Sequence, residues 1–160
     1  MKTLPVYKYN GARSLVLLHE IHMKSFFSTW EKAKELNIKL PETDDEDYLS
    51  LETVLFHVLR ASMRYMVWIC DKLNLDNPEI ASPPPFNEIQ IKAGDYLKHL
   101  LKIWRLPLIN VPEDLFFGTS YKSNWGDDFC IESMLEHAVL HPIRHEFQLK
   151  NMINKSKTKI

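Results

Sequence analysis

Four stretches of this chain carry apolar residues at a helical period, and prolines or charged runs cut each off from the next. That pattern predicts an all-α fold. The first stretch, residues 14–37, places Leu15, Leu18, Ile21, Phe26, Trp30 and Ala33 on one stripe. Pro41 and the acidic run from Glu42 to Asp47 then read as a solvated connection. The second helix is expected to start near Ser50, a good N-cap, with Glu52 in its first turn where the helix dipole favours an anion. It continues through Leu55, Val58, Leu59, Tyr65 and Trp68 to Leu73, ahead of Pro78.

Asn87 and Gln90 form a predicted capping box for the third helix, which must stop before Pro107. After a long connection over residues 108–126, Asp127 or Asp128 is positioned to cap a fourth and longest helix reaching about Asn154. Only four glycines accompany nine prolines. A sheet-built chain of this length would need far more glycine turns. Residues 1–160 are read as one domain, a four-helix bundle.

The connection between helices two and three decides the topology. Residues 74–86 include Ser82-Pro83-Pro84-Pro85, a stiff extended segment. At about 3.1 Å per residue it reaches ~40 Å. A helix of about twenty-three residues is only ~35 Å long. The linker can therefore cross the whole bundle, which permits an up-down-down-up arrangement with helices two and three parallel.

Charge and cysteine content exclude several classes. The formal net charge is −1, which gives no bulk electrostatic case for nucleic acid or an anionic membrane. No stretch approaches the roughly twenty apolar residues that span a bilayer. After Met1 and Lys2 no apolar run of signal-peptide length follows. Cys70 and Cys130 are too few and too far apart for a disulfide framework or a thiolate zinc site. A reducing cytoplasm is the expected compartment. The basic segment from Lys155 to Lys159 reads as a frayed end.

Chemistry is concentrated in the histidines. Three of the seven, His137, His141 and His145, recur every fourth residue on the fourth helix. Over all possible starts, chance would give this about once in a hundred. Two imidazoles one turn apart can chelate one ion, as in zinc proteases, but the HExxH glutamate is missing here. A third ligand must come from another helix. His57 is the best candidate, embedded in the apolar run VLFHVL. It lies ~10 Å into helix two, while His145 and His141 lie ~14 to ~20 Å from the end of helix four. In antiparallel helices those depths roughly agree.

Helical drift of about 40° per four residues prevents all three histidines of helix four from aiming equally well at one point. His137 is therefore open to a ligand, supporting or partly exposed role. Pro142, between two of the histidines, removes a helical hydrogen bond at a cost of about 3 kcal/mol, and either opens space at a site or is a tolerated kink. His19, His22 and His99 are expected in solvent. Tyr65, Trp68, Phe26 and Trp30 are expected in the core.

The run HAVLHPIRHEFQ from His137 to Gln148, together with His57 in the second of four helices, resembles the DinB-like (DNA-damage-inducible, YfiT-like) superfamily. The resemblance spans nearly the whole chain, with its specific content in these few positions. It implies a metal triad of His57, His141 and His145, with Gln148 as the trailing glutamine and His137 extra to the pattern. Glu146 and Phe147 stand where many members have Arg-Gly. It further implies an up-down-down-up bundle, commonly a homodimer, that binds nickel, zinc or iron. Some members transfer low-molecular-weight bacterial thiols and others are metal-dependent hydrolases.

Two functions compete at this point. In one, three neutral imidazoles leave an open metal position at which a thiol or water acts on a small-molecule substrate. The 108–126 connection would cover that site, and Glu132 and Glu136 are candidates to support it. In the other, the chain is a non-catalytic bundle, a dimerisation or stress-related binding module.

Overall fold

The computed structural model describes residues 4–157. Its four helices are α1 (Asn10–Glu35), α2 (Leu51–Lys72), α3 (Ile89–Trp104) and α4 (Ile131–Lys157). Short 3-10 turns occupy Glu46–Tyr48 and Glu113–Phe116, and a small antiparallel hairpin pairs β1 (Tyr121–Lys122) with β2 (Asp128–Phe129). The fold is an all-α bundle. Among the described residues, no helix is long and apolar enough to cross a membrane.

Side-chain pairings along the helices give their directions. Tyr9, beside the start of α1, donates to Glu132 near the start of α4, and Ser25 donates to Glu146 further along both, so α1 and α4 run parallel. The Trp30 indole donates to the Leu51 carbonyl, and Ser62 bonds His19, so α1 and α2 are antiparallel. Phe86 meets Phe56 ahead of α3, and the Trp104 indole donates to the Ser62 carbonyl at its far end, so α2 and α3 are parallel. The order is up-down-down-up. The proline-rich segment does cross the bundle, tied to α3 by Tyr96 donating to the Ala81 carbonyl at 2.8 Å.

Three buried tryptophans satisfy their indole N–H on the backbone of a neighbouring element, Trp68 doing so on the hairpin through Lys122. A buried N–H without such a carbonyl would cost about 1–3 kcal/mol, so these bonds fix how the elements meet. Glu20, nearly fully buried on α1, is clamped by Arg105 just past α3 at 2.7–2.8 Å.

The structure corrects several sequence expectations. The α1 core stripe is Ala12, Val16, His19, Met23, Phe26, Trp30 and Ala33, whereas Leu18 and Ile21 are 41% and 45% exposed. The true stripe is offset from the expected one and carries His19 inward, where it stacks on Trp104 at 3.7 Å. Burial pushes the His19 pKa down to about 3. Helix α1 begins at Asn10, without a side-chain cap, because packing of Tyr9 on Phe116 and burial of Ala12 extend it.

Helix α3 lacks the Asn87 capping box: Glu88 is the N-cap, and Gln90 instead reaches across to Glu52. Neither Asp127 nor Asp128 caps α4. Asp128 is in β2, and the backbone N–H of Ser133 meets the Cys130 sulfur at 3.4 Å. The hairpin was not anticipated. Its turn needs Gly126 at φ +97°, a conformation that favours glycine. Lys155 and Lys157 belong to α4, while Thr158 and Lys159, like Met1 and Lys2, lie outside the described residues.

The cap at Ser50 is present as a reciprocal box. The Ser50 hydroxyl accepts from the Thr53 N–H at 3.2 Å, and the Thr53 hydroxyl accepts from the Ser50 N–H at 2.9 Å. Ser50→Ala is expected to cost about 1 kcal/mol of stability in urea denaturation. No change would mean that water replaces the cap without loss.

Candidate metal centre

Helices α2 and α4 run antiparallel past one another, which brings His57 level with His141 and His145. One nitrogen from each of the three imidazoles lies within 4.8 Å of the other two. Ring centroids form a near-equilateral triangle of 4.9, 5.1 and 4.7 Å. His57 Nε2 and His141 Nε2 are 3.0 Å apart. Two nitrogens on one tetrahedral zinc at Zn–N ≈ 2.0–2.1 Å sit about 3.3 Å apart. The closest pair is within a few tenths of an ångström of that spacing, and with all three nitrogens inside 4.8 Å the set could hold a single small divalent ion after the rings draw together.

The outer nitrogens of two rings are already committed. His57 Nδ1 lies 2.8 Å from Asp47 Oδ2, and His145 Nδ1 lies 3.1 Å from Gln148 Oε1. A carboxylate and an amide oxygen can only accept, so both Nδ1 atoms carry the proton and both Nε2 atoms present a lone pair. This is the tautomer that a metal-binding histidine requires. Gln148, three residues beyond His145, therefore orients a ring of the triangle.

Asp47 is the site residue that the sequence did not reveal. The acidic connection is ordered: the Asp45 carboxylate accepts from the Asp47 N–H at 3.0 Å, and Thr43 accepts from the Asp45 N–H at 3.1 Å. That 3-10 turn aims Asp47 at α2. One of its carboxylate oxygens holds His57 and the other accepts from Arg60 at 3.0 Å. Asp47→Asn is expected to weaken metal affinity about 10- to 100-fold, the usual range for such supporting groups. Competition titration against a chromophoric chelator measures this, and unchanged affinity would show that the carboxylate does not hold the ring.

Burial keeps two rings of the triangle uncharged. His141 is 8% exposed, and burial, followed by the neighbouring His145 and His57, pushes its pKa down to about 2. His145 is 1% exposed and is pushed down to about 4 by burial and then by His57. Both rings are neutral at pH 7, so no proton has to leave before a cation is bound.

Aromatic rings enclose the triangle. Tyr48 packs 5.9 Å from His57 and 5.6 Å from His145, Tyr65 stands edge-on to His141 at 5.6 Å, and Phe26 meets His145 at 6.5 Å. Phe26 and Tyr65 are core residues as expected, yet they also wall the site.

His137 does not join the three. It is half-buried one turn before His141, in an aromatic box with Trp125 stacked at 5.4 Å and Tyr65 and Phe129 on its edges. It makes no hydrogen bond to the triangle. Of the long connection, the hairpin end approaches the site through Trp125, whereas Phe116 and Phe117 pack on Tyr9. Glu132 accepts from Tyr9 and Glu136 is exposed, and neither bonds the histidines. His99 is exposed, and His22 is half-buried. Glu146 is buried and accepts from Ser25 and Lys150, which anchors α4 to α1.

Compared with protein-family models, with curated proteins and with solved structures, the chain matches none. The chemistry of the site follows from its own geometry.

Proposed function

We propose that this chain is a metal-dependent enzyme of the DinB-like kind, holding nickel, zinc or iron on His57, His141 and His145. It would transfer a low-molecular-weight thiol to a small electrophile or hydrolyse a small substrate. The observation that carries the reading is the convergence of three imidazole nitrogens within 4.8 Å, with Asp47 and Gln148 bonded to the outer nitrogens of two of the rings. Three protein ligands, where a structural zinc takes four, favour a reactive site over a structural one. A divalent ion bound there supplies Lewis acidity, which lowers the pKa of a thiol or water brought to its open position.

The protein's own groups have distinct roles in this reading. His57, His141 and His145 hold the ion, and Asp47 and Gln148 keep their rings aimed. Phe26 and Tyr48 exclude water from one side. Burial pushes the Tyr65 pKa up to about 12, so its hydroxyl stays protonated and serves as a donor, never as a base. The free thiols of Cys70 and Cys130 accord with a cytoplasmic setting, and the proposal includes a homodimer.

The test is elemental analysis of tag-free protein followed by a metal-dependent activity screen. The screen would pair low-molecular-weight thiols with an aryl halide, and offer simple esters and amides separately. Turnover that disappears on chelation and returns with added metal is expected. A metal-replete protein inactive in both screens would favour the non-catalytic module.

A further inference from the structure

Beside the histidine triangle lies a cavity of about 220 Å³ whose lining includes His57, Arg60, Arg64, Tyr65, Trp68 and Trp125. We infer that this cavity is the substrate's recognition pocket and that it takes a small oxyanion carried on a flat, apolar body. The placement of the ligand's reactive end rests on the metal reading above; the recognition of its anionic end does not.

Charge is the first argument. His57, Arg60, Arg64 and Trp68 recur every three or four residues along α2 and so present one face to the cavity. Arg60 is matched by Asp47, but Arg64 is exposed and has no ion pair or hydrogen bond among the described residues. Arg144, on α4 between His141 and His145, is likewise exposed and unpaired, and its charge acts on the hydroxyls of Tyr48 and Tyr65. In the lining one carboxylate, Asp47, therefore meets two guanidinium groups, and the charge of Arg144 reaches Tyr65 from outside it. Three neutral ligands would also leave the charge of a divalent ion uncompensated. An anion is the ligand that this balance lacks.

Shape is the second argument. Trp68, Tyr65 and Trp125 supply flat apolar walls, held by the Trp68 bond to the Lys122 carbonyl and by the edge-on packing of Tyr65 on Trp125. The volume is below the roughly 300 Å³ at which pockets for drug-sized ligands begin. It suits one ring with its acidic group, not a nucleotide. Carboxylate and phosphate share the required chemistry.

The experiment is calorimetric titration of the full chain with benzoate, phenylphosphonate and benzamide, in zinc-loaded and chelator-treated form. At least one anion is expected to bind tenfold or more tightly than the neutral amide, and the tighter of the two identifies the acidic group. Arg64→Gln should remove most of that preference and Arg144→Gln part of it, while Lys98→Gln, on the distant exposed face of α3, should not change it. The preference should persist, reduced, without zinc. Metal content is measured on the same samples, so failure to load zinc counts against the metal centre alone. Equal binding of all three probes, binding of none, or a preference that survives Arg64→Gln would overturn the proposal. So would a preference seen only with zinc, because that places the anion on the metal.

Discussion

Replacing His141 with alanine is expected to lower divalent-metal affinity by about 100-fold or more. The four-ligand zinc sites of zinc-finger peptides gather about 10–16 kcal/mol of binding free energy, so one ligand accounts for roughly 3 kcal/mol. His141 is the central member, facing His57 at 3.0 Å and standing 4.7 Å from His145 by ring centroid. Because its ring is buried, the substitution also leaves a cavity, and the variant could lose stability for that reason alone. His57→Ala separates the two effects, since His57 is only half-buried. It should lose metal to a similar degree while keeping the fold. His99→Ala, on the exposed face of α3, should keep full occupancy. Equal metal retention by the His57, His141 and His99 variants, measured by equilibrium dialysis with elemental analysis, would refute the ligand assignment.

Acid should destabilise the metal-free protein strongly. The pKa values of His19, His141 and His145 are held near 3, 2 and 4, below the ordinary histidine value of about 6.5, mainly by burial. As pH falls through 6.5 the unfolded chain takes up protons at these positions and the folded chain does not. The unfolded state then binds more protons, so stability declines toward acid. The full contribution is present above pH 6.5 and is lost progressively down to the folded values.

At pH 5 each such histidine accounts for about 2 kcal/mol of lost stability. Three together approach the whole stability of a typical domain, about 5–15 kcal/mol. Urea denaturation in chelator should show a midpoint much lower at pH 5 than at pH 7.5. His141→Ala should flatten this dependence by about one-third, even though it lowers stability at neutral pH. A midpoint unchanged between the two pH values would contradict the buried, neutral state of these rings.

The elements that could be read from sequence were those set by local rules. Ser50 is a cap because a serine preceding an apolar periodic run has a donor to satisfy, and the box with Thr53 is what forms. The crossing linker follows from its length and stiffness. Spacing by four on α4 and matching depths on α2 and α4 point to histidines meeting in the bundle, but only the family resemblance singles out His141 and His145 over His137.

What escaped was set by contacts between distant segments. Asp47 reaches His57 only because Thr43 and Asp45 wind the acidic run into a turn, and nothing periodic marks that. The hairpin has strands of two residues, too short to show alternation. His19 is legible in principle: it continues the spacing of Val16, Met23 and Phe26, whereas a stripe through Leu18 and Ile21 would turn it outward. The Asn87 box failed because Gln90 found Glu52 on the neighbouring helix, a tertiary bond that overrides a local preference.

X-ray absorption spectroscopy at the zinc edge of the loaded protein addresses the triangle most directly. Three imidazole nitrogens at about 2.0–2.1 Å, with no sulfur near 2.3 Å, are the predicted coordination. A spectrum showing one imidazole or none, or a thiolate sulfur, would mean that the side chains at 57, 141 and 145 do not share one cation.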